Sequence, residues 1–233
     1  MNQSPPTAHN PASVQFERVG LRYGRGAEVL SDVSFTMAPG SMNFITGPSG
    51  AGKSSLLKLI YLHMRPSRGL ISLFGTDASQ IAHTEIPALK RRMGIVLQDF
   101  RLIDHLSVFD NTALPLRVMG AKPESYTGDV KSLLAWVGLG ERMMAMPPTL
   151  SAGEKQRAAI ARAVIAKPEI LIADEPTGNV DKVLGARLIK LFAELNRLGT
   201  TIIIATHDEN LIPEDAAIWS LSGGHVLQRR PHA

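Results

Sequence analysis

Two short segments, Ile170-Leu171-Ile172-Ala173 and Thr201-Ile202-Ile203-Ile204-Ala205, run apolar without alternation. That is the pattern of parallel strands buried on both faces. Further strand signals fall at Met42–Thr46, Leu70–Phe74, Gly94–Leu97 and Ala217–Leu221. Nearer the N-terminus, shorter strands are predicted at Val14–Phe16, Arg22–Tyr23 and Val33–Met37, parted by glycine-rich turns. A glycine loop follows Met42–Thr46, and a helix is predicted from about Lys53 to Leu62. Helical spacing then fills much of Ser107–Ala166, with no comparable strand inside it. The pattern predicts an α/β core carrying an inserted helical lobe at about residues 99–166. Pro, Ser and Asn crowd residues 1–13, and residues 229–233 are similar, so both ends are predicted to be flexible tails around one domain at 14–228. No repeat of fixed period and no heptad pattern is visible.

Chemistry gathers where these elements meet. Gly47-Pro48-Ser49-Gly50-Ala51-Gly52-Lys53-Ser54 matches G-x-x-x-x-G-K-[ST] between a strand and a helix, with Ser55 continuing the stretch. Glycines let the backbone wrap phosphates with its N–H groups inward, and the helix N-terminus adds positive potential. Lys53 would reach the β- and γ-phosphates, and the Ser54 hydroxyl would ligate Mg²⁺. The run Ile170–Ala173 ends in Asp174 and Glu175, which places two carboxylates at the C-terminal edge of the sheet, where open α/β folds bind ligands. Asp174 would hold the Mg²⁺ shell, and Glu175 would orient or deprotonate an attacking water. Alone, the two acids would read as the start of a solvated turn; behind a phosphate loop they read as catalytic. Ser151 and Glu154 have the S-x-x-E spacing of a capping box, so a helix is predicted to start there.

Composition narrows the class. Of 233 residues, 44% are hydrophobic and 20% charged, ordinary for a globular chain rather than a disordered one. The formal net charge is only +4, too little to indicate nucleic-acid binding, and no direct contact with nucleic acid is expected. Cysteine is absent, which excludes disulfides, thiolate metal sites and cysteine nucleophiles. No apolar run approaches the roughly 18 residues of a membrane span and no secretory signal is visible, so any membrane connection is expected through a partner.

The string Leu150-Ser151-Ala152-Gly153-Glu154-Lys155-Gln156-Arg157 resembles the LSGGQ signature of ATP-binding cassette ATPases, and it lies between the two halves of the nucleotide motif set. The resemblance extends from about Val14 to Leu227. It implies an α/β P-loop core with an antiparallel β subdomain and an inserted helical subdomain, ATP and Mg²⁺ as cofactors, and a homodimer closing head to tail on two nucleotides. In that arrangement Ser151, Gly153 and Glu154 would face the γ-phosphate held by the opposite subunit. One position departs from the pattern: Ala152 stands where glycine is usual, and its methyl would crowd that phosphate. By the same resemblance Gln98 corresponds to the glutamine that touches Mg²⁺ and water, and His207 to the histidine that contacts the γ-phosphate. Tyr23 corresponds to the aromatic that stacks on adenine, and Asp181 to the aspartate that crosses the dimer interface.

Asp174-Glu175-Pro176-Thr177-Gly178-Asn179-Val180-Asp181 is similar to a string shared by cell-division, lipoprotein-release and MacB-type export ATPases. Arg91–Gln98, Val108–Pro115, Phe192–Gly199 and Ala205–Asp208 resemble most the FtsE branch, the cell-division ATPases. That branch implies a membrane partner of FtsX type, a signal to cell-wall hydrolases and a cytoplasmic location at the inner face of the cell membrane. The export branches imply the same engine moving lipid-linked or amphipathic cargo. Soluble DNA-repair and translation ATPases carry coiled coils or two cassettes, and this chain has neither. Phe100, Leu102, Ile103 and Leu106 follow directly on Gln98; they would either receive the partner's coupling helix or bury within the helical lobe.

Overall fold

The fully apolar runs form the centre of a six-stranded sheet. β3 (Met42–Thr46), β7 (Ile170–Asp174) and β8 (Thr201–Ala205) lie side by side within the order β10-β9-β3-β8-β7-β6, where β6 is Met93–Val96, β9 Ala217–Ser222 and β10 His225–Arg229. All neighbours are parallel except the β9–β10 hairpin. Ile170, Leu171, Ala173, Ile202, Ile203 and Ala205 are each 0% exposed, as strands covered on both faces require. The computed structural model describes residues 13–178 and 180–229. Apart from Ser13 and Arg229, the two expected tails lie outside the described residues. Ser13 itself is buried, with its hydroxyl 2.9 Å from that of Thr201, and Arg229 closes β10.

A second, antiparallel sheet has the order β2-β1-β4-β5, built from β1 (Val14–Arg22), β2 (Glu28–Met37), β4 (Arg68–Leu73) and β5 (Thr76–Asp77). Here the sequence pattern splits what the structure joins. Val14 and Phe16 point inward, and so do Val19 and Leu21, so the inward phase slips by one residue between the pairs. Register shifts in the same stretch, with Arg18 at φ +48°, mark a bulge that breaks the alternation without ending the strand. Tyr23 is not a strand residue; it lies in the turn beyond β1.

One face of the large sheet packs with α1 (Lys53–Ile60) and the antiparallel sheet around Phe16, Ile45, Leu56, Leu57 and Ile172. The other face packs around Phe44, Leu171, Leu188, Phe192 and Ile204, beneath α5 (Ala152–Val164) and α6 (Lys182–Arg197). α2 (Ile86–Lys90) precedes β6. Between β6 and β7 the chain runs through α3 (Val108–Val118), α4 (Pro123–Trp136) and α5, whose inner residues make a third cluster around Val108, Val130, Leu134 and Ala161. α5 serves two cores: Ala158 and Ala161 face the helical cluster, while Ile160, Ala163 and Val164 face the sheet. Its approach to β6 is so close that a Cβ at Gly94 would overlap the Ala163 carbonyl. The two antiparallel and parallel sheets with their helices are the α/β arrangement expected of an ATP-binding cassette.

Candidate nucleotide site

β3 delivers the chain to Gly47 at the C-terminal edge of the sheet. Gly47, Gly50 and Gly52 have φ of +144°, +80° and +104°, and a Cβ at Gly47 would overlap the Leu221 carbonyl. Only glycine turns there without strain. α1 then begins at Lys53 with no side-chain cap and no acidic residue in its first turn, so its first N–H groups and its positive end stay free for an anion. Lys53 is 8% exposed, and its Nζ donates to the Gly47 carbonyl at 2.8 Å and the Pro48 carbonyl at 3.2 Å. The ammonium is thus folded back over the loop.

A cavity of about 380 Å³ opens at this point and is lined by Ser49, Gly50, Gly52, Lys53, Ser54, Ser55, Gln98, Asp174, Glu175 and Val29. Four distant stretches of sequence therefore converge: Val29 of β2, the phosphate loop, Gln98 two residues beyond β6, and the end of β7. Burial pushes the Asp174 carboxyl up from its ordinary value, opposed by a hydrogen bond from Ser54 and by the charge of Lys53, with Glu175 adding to the rise. A hydroxyl, a carboxylate and an amide oxygen form the hard oxygen set that suits Mg²⁺. Among the described residues no three His, Cys, Asp or Glu side chains converge as a metal cage, and Mg²⁺ commonly binds through one or two carboxylates plus substrate phosphates.

Glu175 has φ +51°, a left-handed conformation rare outside glycine. Its N–H donates to the Ala205 carbonyl at 2.9 Å, tying the turn to the end of β8. Its Oε2 lies 3.0 Å from Nδ1 of His207, two residues beyond β8. A carboxylate there accepts from the Nδ1–H tautomer and leaves Nε2 directed elsewhere. The Glu175 side chain is 16% exposed and lines the cavity, while that of His207 is 68% exposed and reaches Glu175 from outside that lining.

Tyr23 stands beside this site, its hydroxyl 2.9 Å from Ser55 Oγ. Ser151, Ala152, Gly153, Glu154 and Asp181 do not line the cavity. Ser151 caps α5 in a full capping box: its Oγ accepts from Glu154 N–H at 3.2 Å, and its own N–H donates to Glu154 Oε2 at 2.8 Å. Ser151 and Ala152 are exposed, so the Ala152 methyl meets solvent within one chain. Asp181 caps α6, accepting from Leu184 N–H at 2.9 Å.

Three side chains escaped the sequence reading. Arg162, near the end of α5, donates to the carbonyls of Phe100 at 2.8 Å and Arg101 at 2.7 Å, and burial pulls its guanidinium down from its usual value. Asn111 on α3 is 0% exposed, accepts from Ile103 N–H at 2.8 Å and donates to the carbonyls of Ile103 and Leu106. Together they fix the segment after Gln98, in which Phe100 and Arg101 have φ of +59° and +43°. Gln156 on α5 donates to the carbonyls of Glu175 and Pro176. The signal for Gln156 and Asn111 was a polar residue set on an apolar helical stripe, as in Gln156, Ile160 and Ala163.

The ABC transporter family profile matches residues 30–178. Over 214 residues the chain is 45% identical to the cell division ATP-binding protein FtsE of Escherichia coli, covering 91% of this chain and 96% of that one. The Bacillus subtilis protein of the same name is 38% identical over 199 residues, covering 85% and 87%. A dimeric ATP-binding cassette in a post-hydrolysis state, bound to ADP and inorganic phosphate, superposes with a TM-score of 0.88 at 29% identity, covering 94% of this chain and 99% of that one. The profile spans more than half the chain, the relatives span most of it, and the fold is shared: the chain belongs to the ATP-binding cassette (ABC) transporter family as one of its ATPases.

Proposed function

We propose that the chain hydrolyses Mg-ATP as a dimer and drives an FtsX-type membrane protein in cell division. The observation that carries the reading is the contact of His207 with Glu175 at 3.0 Å, Glu175 lining the cavity that holds Lys53 and Asp174. Residues 47–55 would cradle the phosphates, with Lys53 turning from its loop carbonyls toward the β- and γ-phosphates. Tyr23 would stack on adenine. Ser54, Asp174 and Gln98 would hold Mg²⁺, which when bound neutralises charge on the transferred phosphoryl group. Glu175 orients the attacking water and takes its proton, while His207 fixes the carboxylate and reaches the γ-phosphate. Ser151, Gly153 and Glu154 belong to the site of a second copy, with Asp181 at the boundary. That assignment is supported by the exposed N-terminus of α5 and by the dimeric cassettes this chain superposes on. Glu175→Gln keeps the phosphate contacts and removes the base, so size exclusion with Mg-ATP is expected to show a trapped dimer that keeps only a slow residual turnover. Rapid turnover by that variant would end the assignment.

The cell-division role is supported by FtsE relatives that match nearly end to end. Among the described residues no helix is long and apolar enough to cross a membrane, so a place at the inner face of the cell membrane would come through the partner. Of the segment after Gln98, Leu102 packs into the helical cluster, whereas Phe100, Ile103 and Leu106 are half-buried and join no cluster. Alongside runs a groove of about 1050 Å³ between α2, β6 and α3, lined by Leu114, exposed Val118 and Met119, several basic side chains and Arg162. Groove and segment together form the surface on which an FtsX-type protein would dock, and a signal to cell-wall hydrolases would leave the chain there. The helices inserted at about 99–166 carry the segment and one side of the groove, while α2 and β6 supply the other.

A further inference from the structure

We propose that Gln156 is a positioning residue for Glu175, linking the helix that begins at the signature to the base of the chain's own site. The inference rests on the reading of Glu175 given above. Gln156 is 1% exposed and lies on the face of α5 that carries Ile160 and Ala163 onto the sheet. Its Nε2 donates to the Glu175 carbonyl at 3.2 Å and to the Pro176 carbonyl, so both N–H bonds are used on successive peptide groups. Its Oε1 has no partner among the described residues. A flipped amide would set that oxygen against two carbonyls, so chemistry dictates the orientation.

The turn it grips needs a grip. Glu175 holds φ +51°, and a non-glycine residue stays there only when its surroundings over-determine it. The direction of the Cα–Cβ bond, and with it the reach of the carboxylate to His207, follows from that backbone setting. Two other bonds contribute, Glu175 N–H to Ala205 O at 2.9 Å and Gly178 N–H to Glu175 O at 3.2 Å. Both lie within the sheet edge and the turn itself. Gln156 is the side chain that connects the turn to α5. Ser151, which would face the nucleotide of the second copy, lies on the same rigid helix, roughly 7 Å away along its axis. Where α5 settles against one nucleotide therefore bears on the base that acts on the other.

Gln156→Met removes the donors at nearly constant length. In the full chain assayed with Mg-ATP, kcat is expected to fall about tenfold or more, with KM for ATP within about twofold, since the phosphate loop is untouched. In a Glu175→Gln background the same substitution is expected to add no further loss, because it acts through the missing base. Gln156→Asn, which keeps the amide one methylene shorter, is expected to be intermediate and serves the same comparison if the Met variant does not fold. A kcat near that of the unsubstituted chain, a fall shared equally by kcat and ATP affinity, or a loss that adds fully to that of Glu175→Gln would each overturn the proposal. If Glu175→Gln itself turns over rapidly, the reading of Glu175 fails instead.

Discussion

Lys53 shows how a single residue can be legible in sequence and still be found in an unexpected place. Its neighbours fix its role: glycines at Gly47, Gly50 and Gly52 give the loop its left-handed turns, and these requirements are local. Arg162 was not legible, because its partner is a backbone carbonyl 61 positions away, and the apolar stripe that marks Gln156 as buried says nothing of the carbonyl it binds 19 positions on. In the structure the Lys53 ammonium spends its donors on Gly47 and Pro48 carbonyls. Phosphates offer it a charged acceptor in place of two neutral ones, an exchange worth on the order of 1.5–3 kcal/mol. Lys53→Ala is therefore expected to weaken nucleotide binding by about 10- to 150-fold while the loop keeps its shape, since the three glycines remain. A titration with a fluorescent ATP analogue measures this. Unchanged affinity would reduce the Gly47–Ser54 stretch to a turn.

At the scale of the element, α5 was predicted from S-x-x-E and the helical spacing that follows it, and its N-terminus falls where that spacing put it. Strands buried on both faces were as plain, because a continuous apolar run has one reading beside a phosphate loop. β1 was not, since a bulge shifts the alternation that a sequence reading follows. β10 (HVLQR) escaped too: it is an exposed edge strand with only Val226 among its residues packed on a core. The capping box of α5 makes a prediction of its own. The Ser151 N–H holds the Glu154 carboxyl below its usual value against some burial, with the Ser151 side chain, Arg142 and Arg157 helping. A folded value below the unfolded one means that the stabilisation is complete above the unfolded pKa, ~4.3, and is lost as pH falls through the folded value. Glu154→Gln keeps a neutral cap that does not titrate. Thermal unfolding of the two proteins is expected to differ at neutral pH by an amount corresponding to about 0.5–1 kcal/mol, and to converge as pH falls from the unfolded pKa through the lower folded one. A gap that stays constant across that range would mean that the ionised carboxylate does nothing for the cap.

For the whole molecule, the sequence pattern marked out a core and an insertion. It left open whether the apolar residues after Gln98 are core or surface. The structure divides them. Leu102 belongs to the helical cluster, while Leu106 is half-buried on a segment whose backbone is held by Asn111 rather than by its own side chain. That division makes a docking test possible. Leu106→Asp leaves the carbonyl free to accept from Asn111, so the segment is expected to keep its path and the isolated chain its ATPase activity. In an assembled complex the same aspartate would be an unpaired charge in an apolar contact, costing on the order of 2–5 kcal/mol of association. Co-purification of an FtsX-type membrane protein is therefore expected to be lost. Val118→Asp, on the exposed side of the neighbouring groove, is expected to do the same, whereas an aspartate at Leu198, 83% exposed and at the end of α6, is expected to do neither. In cells, loss of the partner is expected to give filaments with delayed septation. Normal division with mislocalised lipoproteins would point instead to an export partner on the same surface, and retention of the membrane protein by both Leu106→Asp and Val118→Asp would show that it docks elsewhere.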